Sequence, residues 1–127
     1  MTPSRPYLIR SLYEWILDNG MTPYVLVDVA DEEVVVPQQY VENGRIVLNI
    51  NPGAVQNLQL GNELLELDAR FSGQPMHVSV PVMSVMAIYA RENGKGMVFT
   101  EEDGGGDEPP PEKEEDKPKR PALRVVK

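Results

Sequence analysis

The chain has 127 residues, no cysteine, a single histidine and a formal net charge of −8. That length holds one small domain with room for an appendage, and the negative charge argues against a nucleic-acid binder, whose phosphate contacts need a basic face. Without cysteine there is neither a disulfide framework nor a thiolate metal site, which fits a reducing cytosol.

The first predicted element is a helix over "PYLIRSLYEWILDNG". Pro6 is tolerated in a first turn, Ser4 can cap it, and Asn19-Gly20 is a stop signal. Leu8, Leu12, Trp15 and Ile16 form an apolar stripe that Tyr7, Ile9, Tyr13 and Leu17 widen. A stripe this wide on a small domain suits two partners, the domain's own sheet and a second copy of the chain. The opening residues lack the apolar run of a signal peptide, and no stretch approaches the roughly 20 apolar residues of a membrane span. The expectation is a soluble, cytoplasmic protein.

After the helix the periodicity shortens. Strands are predicted at 24–29 and 33–37, the second ended by Pro37. Asn43-Gly44 signals a hairpin between two β-prone runs, because both turn positions need positive φ. Residues 51–58 read as a turn or one helical turn. "LLELDARF" (64–71) alternates around Leu65, Leu67, Ala69 and Phe71, stops at Ser72-Gly73, and finds its partner in "MHVSVP" (76–81). A last hairpin closes around Asn93-Gly94 and Gly96. About seven strands after one helix give an α+β, mostly β fold, either a small sandwich or a partly open barrel.

From residue 100 the character changes. "EEDGGGDEPPPEKEEDKPKRP" contains no aliphatic residue and is rich in Gly, Pro and acid, the composition of a disordered linker. Roughly 20 such residues span about 25 Å as a flexible chain, and further if charge extends them. Residues 1–100 carry 11 acids and 6 bases, net −5, and residues 101–127 carry 9 acids and 6 bases, net −3. Every acid of the tail falls by Asp116, and the tip from Lys117 onward is basic and ends on Leu123, Val125 and Val126. The division is a domain at 1–100, an acidic linker at 101–119 and a binding tip at 120–127.

Signs of catalysis are absent. His77 lies alone in a strand, no serine sits in a G-x-S-x-G elbow, and "GGGD" lacks the G-K-[ST] of a P-loop. Glu66 and Asp68 share a strand face that the alternation assigns to solvent, and EF-hand spacing is missing. The expectation is a non-enzyme with no cofactor and no metal. Binding is the positive reading: a small open β-domain accepts an extended peptide at a sheet edge or groove. "ARF" (69–71) is the best internal candidate, with Arg70 free to meet a ligand or to pair with Glu66 or Asp68.

Several blocks resemble one family in order and spacing. "RPYLIRSLYEWILDN", "TPYVLVDV", "NGRIVLNI", "NLQL", "ARFSG", "AIYARENG" and the terminal "RPALRVVK" look like SspB, the specificity-enhancing factor of the ClpXP protease. The linker is short for that family. The resemblance implies an Sm-like domain that dimerises with help from its N-terminal helix, here Leu8, Leu12, Trp15 and Ile16. It implies an adaptor, not an enzyme, that grips the ssrA tag of proteins from stalled ribosomes and delivers them to ClpXP. The tag-contacting arginine matches Arg70, to which we add Phe71, Ser72, Val47, Leu48 and Asn49. The terminal block, Arg120, Pro121, Ala122, Leu123, Arg124, Val125, Val126 and Lys127, matches the segment that docks on the zinc-binding N-terminal domain of ClpX. The rival reading is an Sm-like RNA-binding module, against which the net charge and the few aromatic stacking platforms both count.

Overall fold

In a computed structural model of the chain, residues 1–99 are described, and residues Arg5–Phe99 form one compact unit. The linker assigned to 101–119 and the tip assigned to 120–127 lie outside the described residues.

The helix α1 runs from Arg5 to Asp18. Its end follows from the Asn19-Gly20 signal. Gly20 takes φ 73°, the Gly20 N–H donates to Leu17 O, and the Met21 N–H donates to Ile16 O at 3.1 Å. That pair of bonds is a Schellman closure, which satisfies carbonyls the last turn leaves without partners. Ile9 and Ile16, seven residues apart, sink into the core, while Leu8, Leu12 and Tyr13 pack partly against it.

Seven strands follow, in two antiparallel sheets. β1 (Pro23–Asp28), β2 (Arg45–Asn49), β6 (Val85–Ala90) and β7 (Gly96–Val98) form one sheet in the order β2-β1-β6-β7. β3 (Gln56–Leu60), β4 (Leu64–Phe71) and β5 (Gln74–Pro81) form the other in sequence order. The architecture is the expected mostly-β α+β fold, with two facing sheets and no closed barrel. Period-two alternation builds it. Val25 and Val27 of β1, Ile46 and Leu48 of β2, Leu65 and Leu67 of β4, and Val78 and Val80 of β5 all point into one shared core. Each such side chain contributes about 1.5–3 kcal/mol on burial.

Three predicted elements change. The run 33–37 is no strand, and only Val35 bridges, to Ser79. Val34 and Val36 are buried on either side of it, so β-branched alternation is satisfied by core contacts without a ladder. Asn43-Gly44 does make its turn, with φ of 55° and 76°. Its first arm, however, is reduced to a Glu42–Arg45 bridge after a single 3-10 turn at Gln38–Tyr40. β2 therefore pairs with β1, Val25 opposite Leu48. Within 51–58, the turn gives way to β3 at Gln56. A bulge lies between Gln56 and Gln59, where Asn57 takes φ 57°.

The two ends of the compact unit meet. Buried Arg5 donates from Nη1 to Met83 O at 2.8 Å and to Val85 O at 3.1 Å, and its guanidinium lies 5.2 Å from the centre of the Phe99 ring. Phe99 is itself buried, and its N–H donates to Met86 O.

Candidate functional site

β2 is an edge strand: β1 pairs with one side, and among the described residues the other carries only the Glu42–Arg45 bridge at its start. Its open flank faces the C-terminal end of β4, and a cleft of about 230 Å³ lies between them. Val47, Leu48 and Asn49 form one wall, Ala69, Arg70 and Phe71 the other. Leu48 and Leu67 are core residues that floor it, whereas Val47 stands about half exposed at the rim. Ala54 and Val55 close one side from the loop after β2. That loop is held by amide side chains: Asn49 Oδ1 accepts from the Asn51 N–H at 2.9 Å, and Asn51 Oδ1 from the Gly53 N–H at 2.8 Å. A second, more polar hollow of about 350 Å³ adjoins it and shares Ala54, Val55, Ala69 and Arg70, adding Gln56, Asp68 and Pro75.

Arg70 thus stands between an apolar hollow and a polar one. Its side chain is exposed, and Nη1 donates to Gly73 O at 3.2 Å. Among the described residues it forms no ion pair with Glu66 or Asp68, the structural alternative raised by the sequence. Both acids hold His77 instead. Five of the six expected tag residues line one cleft. Ser72 is the sixth and lies beyond it, in the two-residue turn after β4, where Ser72 and Gly73 take φ of 54° and 82°.

The carboxylates on the outer face of β4 make a clamp. β5 sets His77 directly opposite Asp68. The imidazole lies 2.8 Å from Asp68 Oδ1 through Nδ1 and 3.4 Å from Glu66 Oε2 through Nε2, while Asn57 donates to the other Asp68 oxygen at 2.9 Å. The bonds to Asp68 and then Glu66 raise the His77 pKa above its ordinary value of about 6.5. The bonds from Asn57 and then His77 hold Asp68 below the ordinary carboxylate value. Because the folded His77 binds its proton more tightly than the unfolded chain, its contribution is full below the ordinary value. It is lost as pH rises through the folded value. An NMR titration of the imidazole is expected to give a midpoint above 6.5, brought down by Asp68→Asn. A wild-type midpoint at or below 6.5 rules the clamp out.

The four helix residues assigned to a dimer face differ in position. Ile16 is 2 % exposed inside its own domain, so it has no surface to offer a second copy. Leu8 and Leu12 pack partly on that same core, and Trp15 is half exposed. The outward aromatic surface of α1 is therefore Trp15 with Tyr7, also half exposed.

Sequence reasoning passed over Ala54, Val55 and Leu67 as cleft residues, and it passed over Tyr40. The Tyr40 ring lies 5.7 Å from that of Phe71, and its hydroxyl is hydrogen-bonded to the Ser72 hydroxyl. No local pattern marks a contact made across more than 30 residues of chain.

A helix-led pair of antiparallel sheets with a cleft between β2 and β4 defines a small mostly-β domain. The family model described as SspB, stringent starvation protein B, matches residues 3–127. The chain belongs to this family. It is also similar to the stringent starvation protein B homolog of Haemophilus influenzae, 46 % identical over 102 residues, which cover 80 % of this chain and 68 % of that one. Among the described residues no helix is long and apolar enough to cross a membrane.

Proposed function

We propose that this stringent starvation protein B family member is a cytoplasmic proteolytic adaptor, not an enzyme. It holds ssrA-tagged proteins from stalled ribosomes in the β2–β4 cleft and delivers them to ClpXP. One observation carries the reading: the edge of β2, open beyond its first residue among the described residues, lies along a hollow whose opposite wall carries an exposed arginine. An extended peptide there adds backbone hydrogen bonds to β2, sets alternate side chains against Val47, Val55 and Phe71, and brings an acidic or polar group to Arg70.

Residues 120–127 supply the second contact, a basic and apolar peptide for the N-terminal domain of ClpX. Residues 101–119 are the leash between the two. Joining two modest contacts on one chain raises the local concentration of cargo at the protease to the millimolar range. A second copy, packed through the Tyr7 and Trp15 face of α1, doubles both grip and tip.

Fluorescence anisotropy with a labelled ssrA-tag peptide tests the grip. The full chain and residues 1–100 are expected to bind it with the same affinity. Absence of binding to either ends the adaptor reading, and tight, salt-sensitive RNA binding in its place would favour the Sm-like alternative.

A further inference from the structure

Tyr40 sits outside the cleft, yet it is joined to the cleft's wall twice. Its ring packs on Phe71, centroid to centroid 5.7 Å with the planes tilted by 43°. Its hydroxyl is hydrogen-bonded to Ser72, the next residue along. The segment that carries it is fixed at its base, with Val36 and Pro37 buried, Val35 bridged to Ser79, and the Tyr40 N–H donating to Pro37 O at 3.1 Å. Phe71 ends β4, where the ladder gives way to a turn, and it is only half buried. A ring in that position needs an outside support to keep one rotamer.

The turn chemistry points the same way. Among the described residues, two tight turns have both central residues at positive φ. Asn43-Gly44 uses the residue that tolerates the left-handed region best after glycine, whereas Ser72-Gly73 places a serine there. Asparagine or glycine suits the backbone at 72 better than serine does. What serine adds is a short hydroxyl within reach of Tyr40.

We infer that Tyr40 and Ser72 are positioning residues that lock the Phe71 ring as the end wall of the peptide cleft, and so select a large apolar side chain at one position of the bound peptide. The inference rests on the adaptor reading, since it needs a peptide in the cleft. Phe71 without its bracket turns outward or becomes mobile, and the wall that a large side chain packs against is lost. A small side chain at the same position never reaches that wall and is indifferent to its order.

The full-length chain is tested by anisotropy against the labelled ssrA-tag peptide and against versions with each large side chain replaced in turn by alanine. Tyr40→Phe and Ser72→Ala each remove the hydroxyl bond and keep the rings, so folding is preserved. Each is expected to weaken the parent peptide about threefold to fivefold, and the double variant no more than either alone. Tyr40→Ala is expected to weaken it about tenfold. All these losses should vanish for one alanine-substituted peptide, the one lacking the side chain that meets Phe71. A merely structural role would weaken every peptide alike. Equal losses across the peptide set, or none from either isosteric variant, overturn the inference and leave the adaptor reading intact. Failure of the wild-type chain to bind the parent peptide overturns both.

Discussion

Removal of residues 120–127 is expected to abolish stimulated degradation while leaving tag-peptide affinity within about twofold, the range of surface changes distant from a site. The tip contains Arg120, Arg124 and Lys127 among Leu123, Val125 and Val126, and none of the cleft residues. On the proposed adaptor reading, its deletion removes the docking contact without touching the grip. Cargo then reaches the protease only by free diffusion. Linked contacts raise avidity by roughly 10²–10⁴, so at limiting substrate the loss of rate falls on the same scale. The measurement is the degradation rate of an ssrA-tagged fluorescent protein by ClpXP, with and without the adaptor. Undiminished stimulation by the truncated chain would end the docking role. A parallel loss of peptide affinity would move part of the grip into the tail.

Arg70→Ala is expected to weaken tag binding by about 1.5–3 kcal/mol, the range for a hydrogen bond to a charged group, or roughly tenfold to 150-fold in affinity. Stability should hardly change. Arg70 is exposed, its one hydrogen bond among the described residues is to a turn carbonyl, and Glu66 and Asp68 are occupied by His77. The loss therefore reports on ligand contact and not on a broken internal ion pair. Arg70→Lys keeps the charge but not the planar fork, and an intermediate loss is expected. Titration of the labelled peptide by anisotropy, beside urea unfolding of the same variants, separates the two effects. Unchanged affinity in the alanine variant would remove Arg70 from the site.

The strands that alternate cleanly were legible in the sequence. Leu65, Leu67, Ala69 and Phe71 lie on the inner face of β4 as their spacing requires, and Ser72-Gly73 turns the chain into β5. The helix end was legible because Gly20 is a local device. Pairing was not. Asn43-Gly44 marks a turn without saying how long its arms are, and β2 takes its register from β1, some twenty residues earlier. β3 was hidden by its own composition, for "QNLQL" is polar and Asn57 interrupts its alternation with a bulge. On the helix, periodicity drew a wide stripe but left its centre undetermined. Docking on β6 and β1 turned Ile9 and Ile16 inward and left Trp15 outside.

For the candidate site, "ARF" stood out by its alternation and the resemblance singled out Arg70; Val47, Leu48, Asn49, Arg70 and Phe71, all named from the sequence, line one cleft. Ala54 and Val55 had no signal, because loop residues become walls only when the strands on either side are set. The fate of Glu66 and Asp68 depended on His77 arriving opposite them, which is a fact of register.

The meeting of Arg5 and Phe99 has a mechanical consequence. Any pull on the chain beyond residue 99 enters the compact unit at Phe99, before it reaches the three residues of β7. There it meets a buried ring, a backbone bond to Met86 and a guanidinium that is bonded in turn to Met83 and Val85. The load is shared between the first turn of α1 and the strand that α1 packs on, so β7 is not peeled from its edge one bond at a time. On the proposed adaptor reading, a protease that draws on cargo while holding the chain by its tail strains a moored anchor.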